Sequence, residues 1–149
     1  MIPSGTPVPE LVLKRGDGSD FTRADLEGKT TVLVFYPFAF SPVCTDQLNL
    51  YQEVLEDFQA KGATLYGVSC DATYSQTAFQ EKLGVTIEQL SDFEPKGAVC
   101  RAFDAYHEGG FPQRALALIG PDCVVRWSYQ AASPRDLPGA NLIFDALES

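Results

Sequence analysis

The chain has 149 residues, 45% of them hydrophobic and 21% charged, which is enough apolar material for one buried core. Acidic residues outnumber basic residues by 20 to 11, and the net charge of -9 disfavours binding to nucleic acid and to anionic membranes. No run of about 18 apolar residues is present to span a bilayer, and the start, MIPSGTPVPE, lacks the basic and apolar regions of a secretory signal. We therefore expect one cytoplasmic domain covering residues 1–149.

The first half of the chain predicts a β-hairpin, a buried strand and a long helix. ELVLKRGDGSDFT turns at residues 16–18 and leads into a helical turn near Thr22. TTVLVFYPF is a continuous apolar run rich in β-branched and aromatic residues, as is typical of a central strand covered on both faces. A helix follows from Pro42 to about residue 61, and Gly62 ends it. Its apolar stripe consists of Cys44, Leu48, Tyr51, Leu55 and Phe58.

The second half predicts a second central strand, ATLYGVSC, and a helix, TYSQTAFQEKLG, that Gly84 closes. A third helix begins near Pro95, RALALIGPDCVVRWSYQ forms a hairpin turning at residues 120–122, and a last helix runs from about Pro138 to Leu147. This order resembles the thioredoxin arrangement. We therefore expect an α/β, thioredoxin-like fold, in which helices flank a mixed central sheet and a β-hairpin lies at the N-terminus.

The four cysteines are Cys44, Cys70, Cys100 and Cys123, and no two of them form a Cys-x-x-Cys pair. The spacing therefore predicts neither a zinc site nor a dithiol redox motif, and we expect mostly free thiols. The single histidine, His107, has no metal-ligand pattern around it, so a solvated loop position is the expected one.

Cys44 lies where the first central strand passes into a helix. Ser41 is a good N-cap and Pro42 fits the first helical position, so Cys44 falls in the first turn. We expect the Ser41 hydroxyl to accept a hydrogen bond from the Cys44 amide. Helix N-termini with a cationic neighbour can lower a cysteine pKa to about 3.5–7.5, and the thiolate is the nucleophile.

Alternatively, Cys44 is a small apolar residue on the buried stripe of its helix, without chemistry. Asp46, two residues further on, opposes ionisation of the thiol, so a reactive Cys44 needs a positive charge from elsewhere in the chain. Arg114 is the best candidate, because Gly109 and Gly110 in the preceding loop HEGGFPQ could let it fold close. The alternative for Arg114 is an ordinary surface charge.

The pattern Pro37-x-x-x-Ser41-x-x-Cys44 resembles the active-site signature of the peroxiredoxins, Pro-x-x-x-(Thr/Ser)-x-x-Cys. YGVSCDATYSQTAF, LSDFEPKGAV and RALALIGPDCVVRW resemble later segments of the family in the expected order, and the likeness runs from about Val8 to the end. The alkyl hydroperoxide reductase E-like branch looks closest, and the bacterioferritin-comigratory branch is next. The resemblance implies a thiol peroxidase.

The resemblance also implies a role for each residue of the signature and for Arg114. Cys44 is the peroxidatic cysteine, which peroxide oxidises to a sulfenic acid. Ser41 offers its hydroxyl to the peroxide and the sulfur, and Pro37 shields the pocket from water. Arg114 stabilises the thiolate and polarises the O–O bond. Neither a metal nor an organic cofactor is required.

Three further positions bear on the resemblance, and of these Arg126 carries less weight. Gln47 occupies a place where the family has a residue that steadies the arginine, and Arg126 matches a second arginine found in some members. Ala117 departs from the family, which usually has a larger residue there, and this questions packing and not chemistry.

The resemblance leaves the recycling of Cys44 open. The usual nearby resolving position is Asn49 here, so we expect a one-cysteine cycle with an external thiol as reductant, in a homodimer. The alternative is a two-cysteine cycle in which Cys100 or Cys70, or else Cys123, moves to reach Cys44.

Two other functions compete with a peroxidase. A disulfide reductase needs a thiol at position 47, where a glutamine stands, and a non-catalytic thioredoxin-fold module needs no reactive cysteine.

Overall fold

A mixed sheet forms the centre of the computed structural model, which describes residues 1–149. The strands in chain order are β1 (Val12–Lys14), β2 (Asp20–Thr22), β3 (Thr30–Phe35), β4 (Ala63–Ser69), β5 (Glu88–Ser91), β6 (Tyr106–His107), β7 (Phe111–Pro112), β8 (Ala115–Ile119) and β9 (Val125–Gln130). Seven of them pair in the order β2-β1-β5-β4-β3-β8-β9, and β6 pairs with β7 in a separate hairpin. The three strands β3, β4 and β5 are parallel, and the other pairs are antiparallel. The predicted thioredoxin-like fold class and the N-terminal hairpin are confirmed.

Five α-helices and one 3-10 turn connect the strands. They are a 3-10 turn at Arg23–Leu26 and the helices α1 (Pro42–Glu53), α2 (Leu55–Ala60), α3 (Thr73–Leu83), α4 (Ala98–Ala102) and α5 (Ala140–Glu148). No helix among them has the length and apolar character needed to cross a membrane.

The helix predicted as continuous from Pro42 to about residue 61 is in fact two helices. Val54 separates α1 from α2 with φ -114° and ψ 16°, and its amide donates to the Tyr51 carbonyl three residues back. The apolar stripe stays buried across the break, so the hydrophobic pattern gave no sign of it.

The three short strands β5, β6 and β7 were missed by the sequence prediction. Strand β5 has only four residues, and β6 and β7 have two each, too few for a hydrophobic period to show. The expectation of a solvated loop at His107 was wrong as well. His107 lies in β6, is half-buried and stacks on Phe111 with ring centroids 4.4 Å apart.

The sheet separates two hydrophobic cores. Val32 and Val34 of β3 face the core that α1, α2, α3 and α5 cover, whereas Leu33 and Phe35 face the core covered by α4 and the N-terminal segment. This alternation along a strand buried on both sides is the one that the apolar run TTVLVF predicts.

Candidate active site

The sheet register brings Arg114 next to the start of α1. Helix α1 begins beyond the carboxyl end of β3, and Phe35 at that end pairs with Ala115 at the beginning of antiparallel β8. Arg114 immediately precedes Ala115 and therefore lies at the edge of the sheet where Cys44 starts its helix. Two residues 70 positions apart in the chain thus become neighbours.

The Arg114 guanidinium is held by three hydrogen bonds. Its Nη2 donates to the Cys44 Sγ at 3.2 Å, its Nη1 to the Gln47 Oε1 at 2.7 Å, and its Nε to the Pro134 carbonyl oxygen at 2.8 Å. Cys44 is fully buried and Arg114 is only 2% exposed. Since every arm of the guanidinium has an acceptor, its position relative to the sulfur is fixed.

No carboxylate compensates the charge of Arg114. The five ion pairs of the protein all lie elsewhere. A buried cation without a partner is strongly unfavourable, and the only acceptor of the three that can carry a negative charge is the Cys44 sulfur.

The loop before α1 does not cap the helix as expected. The Ser41 hydroxyl donates to the Phe38 carbonyl oxygen at 2.9 Å instead of accepting from the Cys44 amide. The same carbonyl also accepts the Ser41 amide, and Phe40 takes φ 70°, so a tight turn directs the hydroxyl backwards. The Cys44 amide consequently has no hydrogen-bond partner and remains a free donor at the positive end of α1.

A cavity of about 230 Å³ opens at this edge of the sheet. Its wall includes Pro37, Ser41 and Arg114, with the aromatic rings of Phe38 and Phe111 beside them. The cavity is small and mostly apolar, and Arg114, one of its polar lining residues, also contacts the sulfur. The structure therefore brings the four predicted catalytic residues together: Pro37, Ser41, Cys44 and Arg114.

The sequence profile of the AhpC/TSA family matches residues 4–128. The chain belongs to this family, the peroxiredoxins. A Mycobacterium tuberculosis relative is 34% identical over 104 residues, which are 70% of this chain and 65% of that protein. Alkyl hydroperoxide reductase C of Amphibacillus xylanus is 34% identical over 115 residues, 73% of this chain and 61% of the reductase. The chain thus spans less than two thirds of the length of these two relatives.

A solved structure of the bacterioferritin comigratory protein of Xanthomonas campestris superposes with a TM-score of 0.85 at 26% identity and covers 98% of both chains. The predicted peroxiredoxin family is therefore confirmed. This likeness agrees with one of the two branches that the sequence motifs favoured.

Two supporting residues of this peroxiredoxin, Tyr51 and Asp71, were not identified from the sequence. Gln47 Nε2 donates to the Tyr51 hydroxyl at 3.2 Å, and that hydroxyl donates to the Pro138 carbonyl oxygen at 2.7 Å. Burial raises the pKa of Tyr51 to about 12, so it stays a neutral donor. The i, i+4 spacing from Gln47 was a usable signal, but Tyr51 also fits the apolar stripe and was assigned to the core.

Asp71 is the second such residue, and it anchors the loop of the signature. Its Oδ2 accepts the Ala39 amide at 2.8 Å and the Ser69 hydroxyl at 2.7 Å. Asp71 comes just after β4, whose carboxyl end lies at the same edge of the sheet as that of β3. A carboxylate at this edge could have been proposed from the strand order alone.

Arg126 does not join the site of the peroxiredoxin. It is exposed on β9 and lines a different cavity, together with Lys61 and Leu147 near the C-terminal end of the chain. The residue that matches the second arginine of some family members thus lies apart from Cys44 and Arg114. Ala117 is fully buried in the core on the α4 side, so the smaller residue sits in packed surroundings.

The other cysteines lie away from Cys44. Cys100 is buried in the core on the α4 side and Cys70 packs against the same core, whereas Cys44 belongs to the opposite one. Cys123 is on the β8–β9 turn with φ 62°, and its thiol points at the Arg23 carbonyl. The two predicted resolving candidates, Cys70 and Cys100, have their Sγ atoms within 4.8 Å of each other, and both belong to the core opposite that of Cys44.

Proposed function

We propose that the protein is a thiol peroxidase that reduces hydrogen peroxide or organic hydroperoxides at Cys44. The observation that carries this proposal is the 3.2 Å contact between the Arg114 Nη2 and the Cys44 Sγ, in a buried setting without any carboxylate. The guanidinium donates to the sulfur, and the thiolate is the form of a cysteine that attacks peroxides. Family membership and the adjacent cavity support the same conclusion.

In the proposed reaction the Cys44 thiolate attacks one peroxide oxygen and the O–O bond breaks. The sulfur becomes a sulfenic acid, and hydroxide or an alkoxide leaves and takes up a proton. Negative charge develops on the leaving oxygen, where the Arg114 guanidinium and the free Cys44 amide are the available donors. Pro37 and Ser41 line the cavity in which we place the peroxide, and this enclosure restricts how the peroxide is oriented.

For recycling we propose a one-cysteine cycle. An external thiol attacks the sulfenic acid, water leaves, and a second external thiol releases Cys44 from the mixed disulfide. Supporting this choice, Cys100 is buried in the core on the opposite face of the sheet from Cys44, and Cys70 packs against that same core. We further propose that the enzyme works as a homodimer in the cytoplasm.

Rapid mixing with hydrogen peroxide tests the peroxidase. We expect Cys44→Ser to abolish peroxide consumption in the presence of a thiol reductant. Arg114→Gln should slow oxidation of Cys44 by about 10²- to 10³-fold, the usual loss when one donor to a developing charge is removed. Arg126→Gln, which changes an exposed arginine outside the site, is the matched control and should react at the original rate.

Two results would contradict the proposal. One is an Arg114→Gln variant that reacts with peroxide as fast as the original protein. The other is strong reduction of insulin disulfides, which would indicate a disulfide reductase instead of a peroxidase.

A further inference from the structure

Cys70, Cys100 and Asp92 form a cluster on the far side of the sheet from Cys44. The two Sγ atoms and a carboxylate oxygen of Asp92 all lie within 4.8 Å of one another. It is the one group of side chains in the protein in which two thiols are neighbours. Nothing in the proposed peroxidase reaction uses it.

Asp92 holds the two cysteine-bearing segments together. Its two carboxylate oxygens accept the Val99 amide at 3.1 Å and the Cys100 amide at 2.8 Å, which fixes the start of α4. Its own amide donates to the Ser69 carbonyl at 2.8 Å, directly beside Cys70. The backbone segments that carry the two cysteines are therefore tied to each other through Asp92.

The two thiols differ in access. Cys100 is fully buried, whereas Cys70 is partly exposed and lines a cavity of about 370 Å³ with Lys96 and Asp71. A hydrogen bond from the Cys100 thiol lowers the pKa of Cys70, and Lys96 acts in the same direction. That hydrogen bond and burial together raise the pKa of Cys100. Cys70 is thus the thiol that a solute can reach, and Cys100 stands behind it as a protonated partner.

We propose that Cys70 and Cys100 form a second redox site, which a hydroperoxide converts into an intramolecular disulfide independently of Cys44. The Cys70 thiolate attacks a peroxide oxygen, the O–O bond breaks, and water or an alcohol leaves. The Cys100 sulfur then attacks the Cys70 sulfenic acid, the S–O bond breaks, and water leaves. In sum, two thiols lose two electrons to one hydroperoxide.

The geometry suits this closure. A disulfide needs the sulfurs at about 2.0 Å, so a starting separation within 4.8 Å leaves only a short approach for the two side chains. Asp92 lies within the same 4.8 Å and is the group placed to receive the Cys100 proton. Each of its oxygens accepts one amide and therefore keeps a lone pair for that proton.

The Cys70 cavity shares Pro37 and Phe38 with the cavity that leads to Arg114. One loop therefore forms a wall of both openings. The sheet nevertheless keeps the two sulfur chemistries apart.

The test uses the Cys44→Ser variant, so that its outcome does not depend on the peroxidase proposal. After treatment with hydrogen peroxide, we expect intact mass spectrometry to show the loss of two hydrogen atoms. Peptide mapping should join Cys70 to Cys100, and a dithiol reductant should reverse both changes. In a Cys44→Ser/Cys100→Ser variant, Cys70 should stop at the sulfenic acid and be trapped by a 1,3-dione reagent.

The matched control is Cys44→Ser/Cys123→Ser, which should still form the disulfide. The proposal is overturned if peroxide leaves three free thiols in Cys44→Ser, or if the bridge maps to any other pair. A third result also overturns it. If Cys70 and Cys100 no longer react with thiol reagents, the protein has not lost two hydrogen atoms, and a chelator restores their reactivity, the cluster holds a metal ion and not a disulfide.

Discussion

Gln47 links the Arg114 guanidinium to the rest of α1, and its amide serves two partners at once. The Oε1 accepts from Arg114 and the Nε2 donates to Tyr51. Gln47→Ala would leave a buried guanidinium N–H without an acceptor. Since a hydrogen bond to a charged group contributes about 1.5–3 kcal/mol, we expect oxidation of Cys44 by peroxide to slow by about 10- to 100-fold.

Stopped-flow measurement of the peroxide reaction checks this prediction. Gln52→Ala is the control, because Gln52 lies on the same helix but its amide bonds to Thr86, away from the sulfur. The control variant should react at the original rate. Equal rates for Gln47→Ala and Gln52→Ala would show that Gln47 does not position the arginine.

At the residue scale, the sequence predicted which side chains come into contact, but it did not predict which hydrogen bonds they form. The meeting of Cys44 with Arg114 was predicted from a motif and a flexible loop, and the strand register produces it. The direction of the Ser41 hydroxyl was predicted wrongly, since it depends on a carbonyl three residues back. Such local choices follow from the backbone path of a turn, which no residue pattern specifies.

Tyr51 connects two helices, because its hydroxyl bonds to Pro138 just before α5. Burial raises its pKa from 10.0 to about 12. A raised pKa means that the folded protein keeps the proton while the unfolded chain loses it. The stabilising effect is therefore complete below pH 10 and is lost as the pH rises towards 12. Over that window we expect the free energy of unfolding to fall by about 2–3 kcal/mol from this residue.

Urea unfolding between pH 9 and about pH 12 checks this prediction. Burial also raises the pKa of Tyr36, and the Cys70 hydrogen bond together with burial raises that of Cys100, so both residues contribute with the same sign. Tyr51→Phe should therefore lower the slope of stability against pH by about one third between pH 10 and pH 12. Tyr74→Phe alters a tyrosine that is 88% exposed and should leave the slope unchanged. An unaltered slope in Tyr51→Phe would contradict the prediction.

At the scale of elements, long apolar runs and capping glycines were enough to find the main strands and helices. The short strand β5 was missed because pairing with its neighbours, and not its own composition, makes it a strand. The break at Val54 was missed for a related reason, since both helices bury the same stripe.

The molecule as a whole exposes aromatic rings close to the active-site cavity. Phe38 is 49% exposed and lines the cavity, and Phe40 is 51% exposed two residues away. An apolar surface beside the site fits the proposed homodimer. We expect sedimentation equilibrium to give twice the monomer mass of 16.3 kDa, and Phe40→Asp to shift the equilibrium towards the monomer.

Val12→Asp is the control for this prediction, because Val12 is 57% exposed on β1, outside the loop of the site. It should sediment like the original protein. A monomer mass for the unaltered chain at every concentration would remove the homodimer from the proposal.

The missing carboxylate at Arg114 has a consequence for the catalytic cycle. On the proposed cycle, the sulfur loses its negative charge when it takes up oxygen, and the guanidinium is left in the interior with neutral neighbours only. We therefore expect oxidation of Cys44 to destabilise the first turn of α1, at the point where a reductant has to enter.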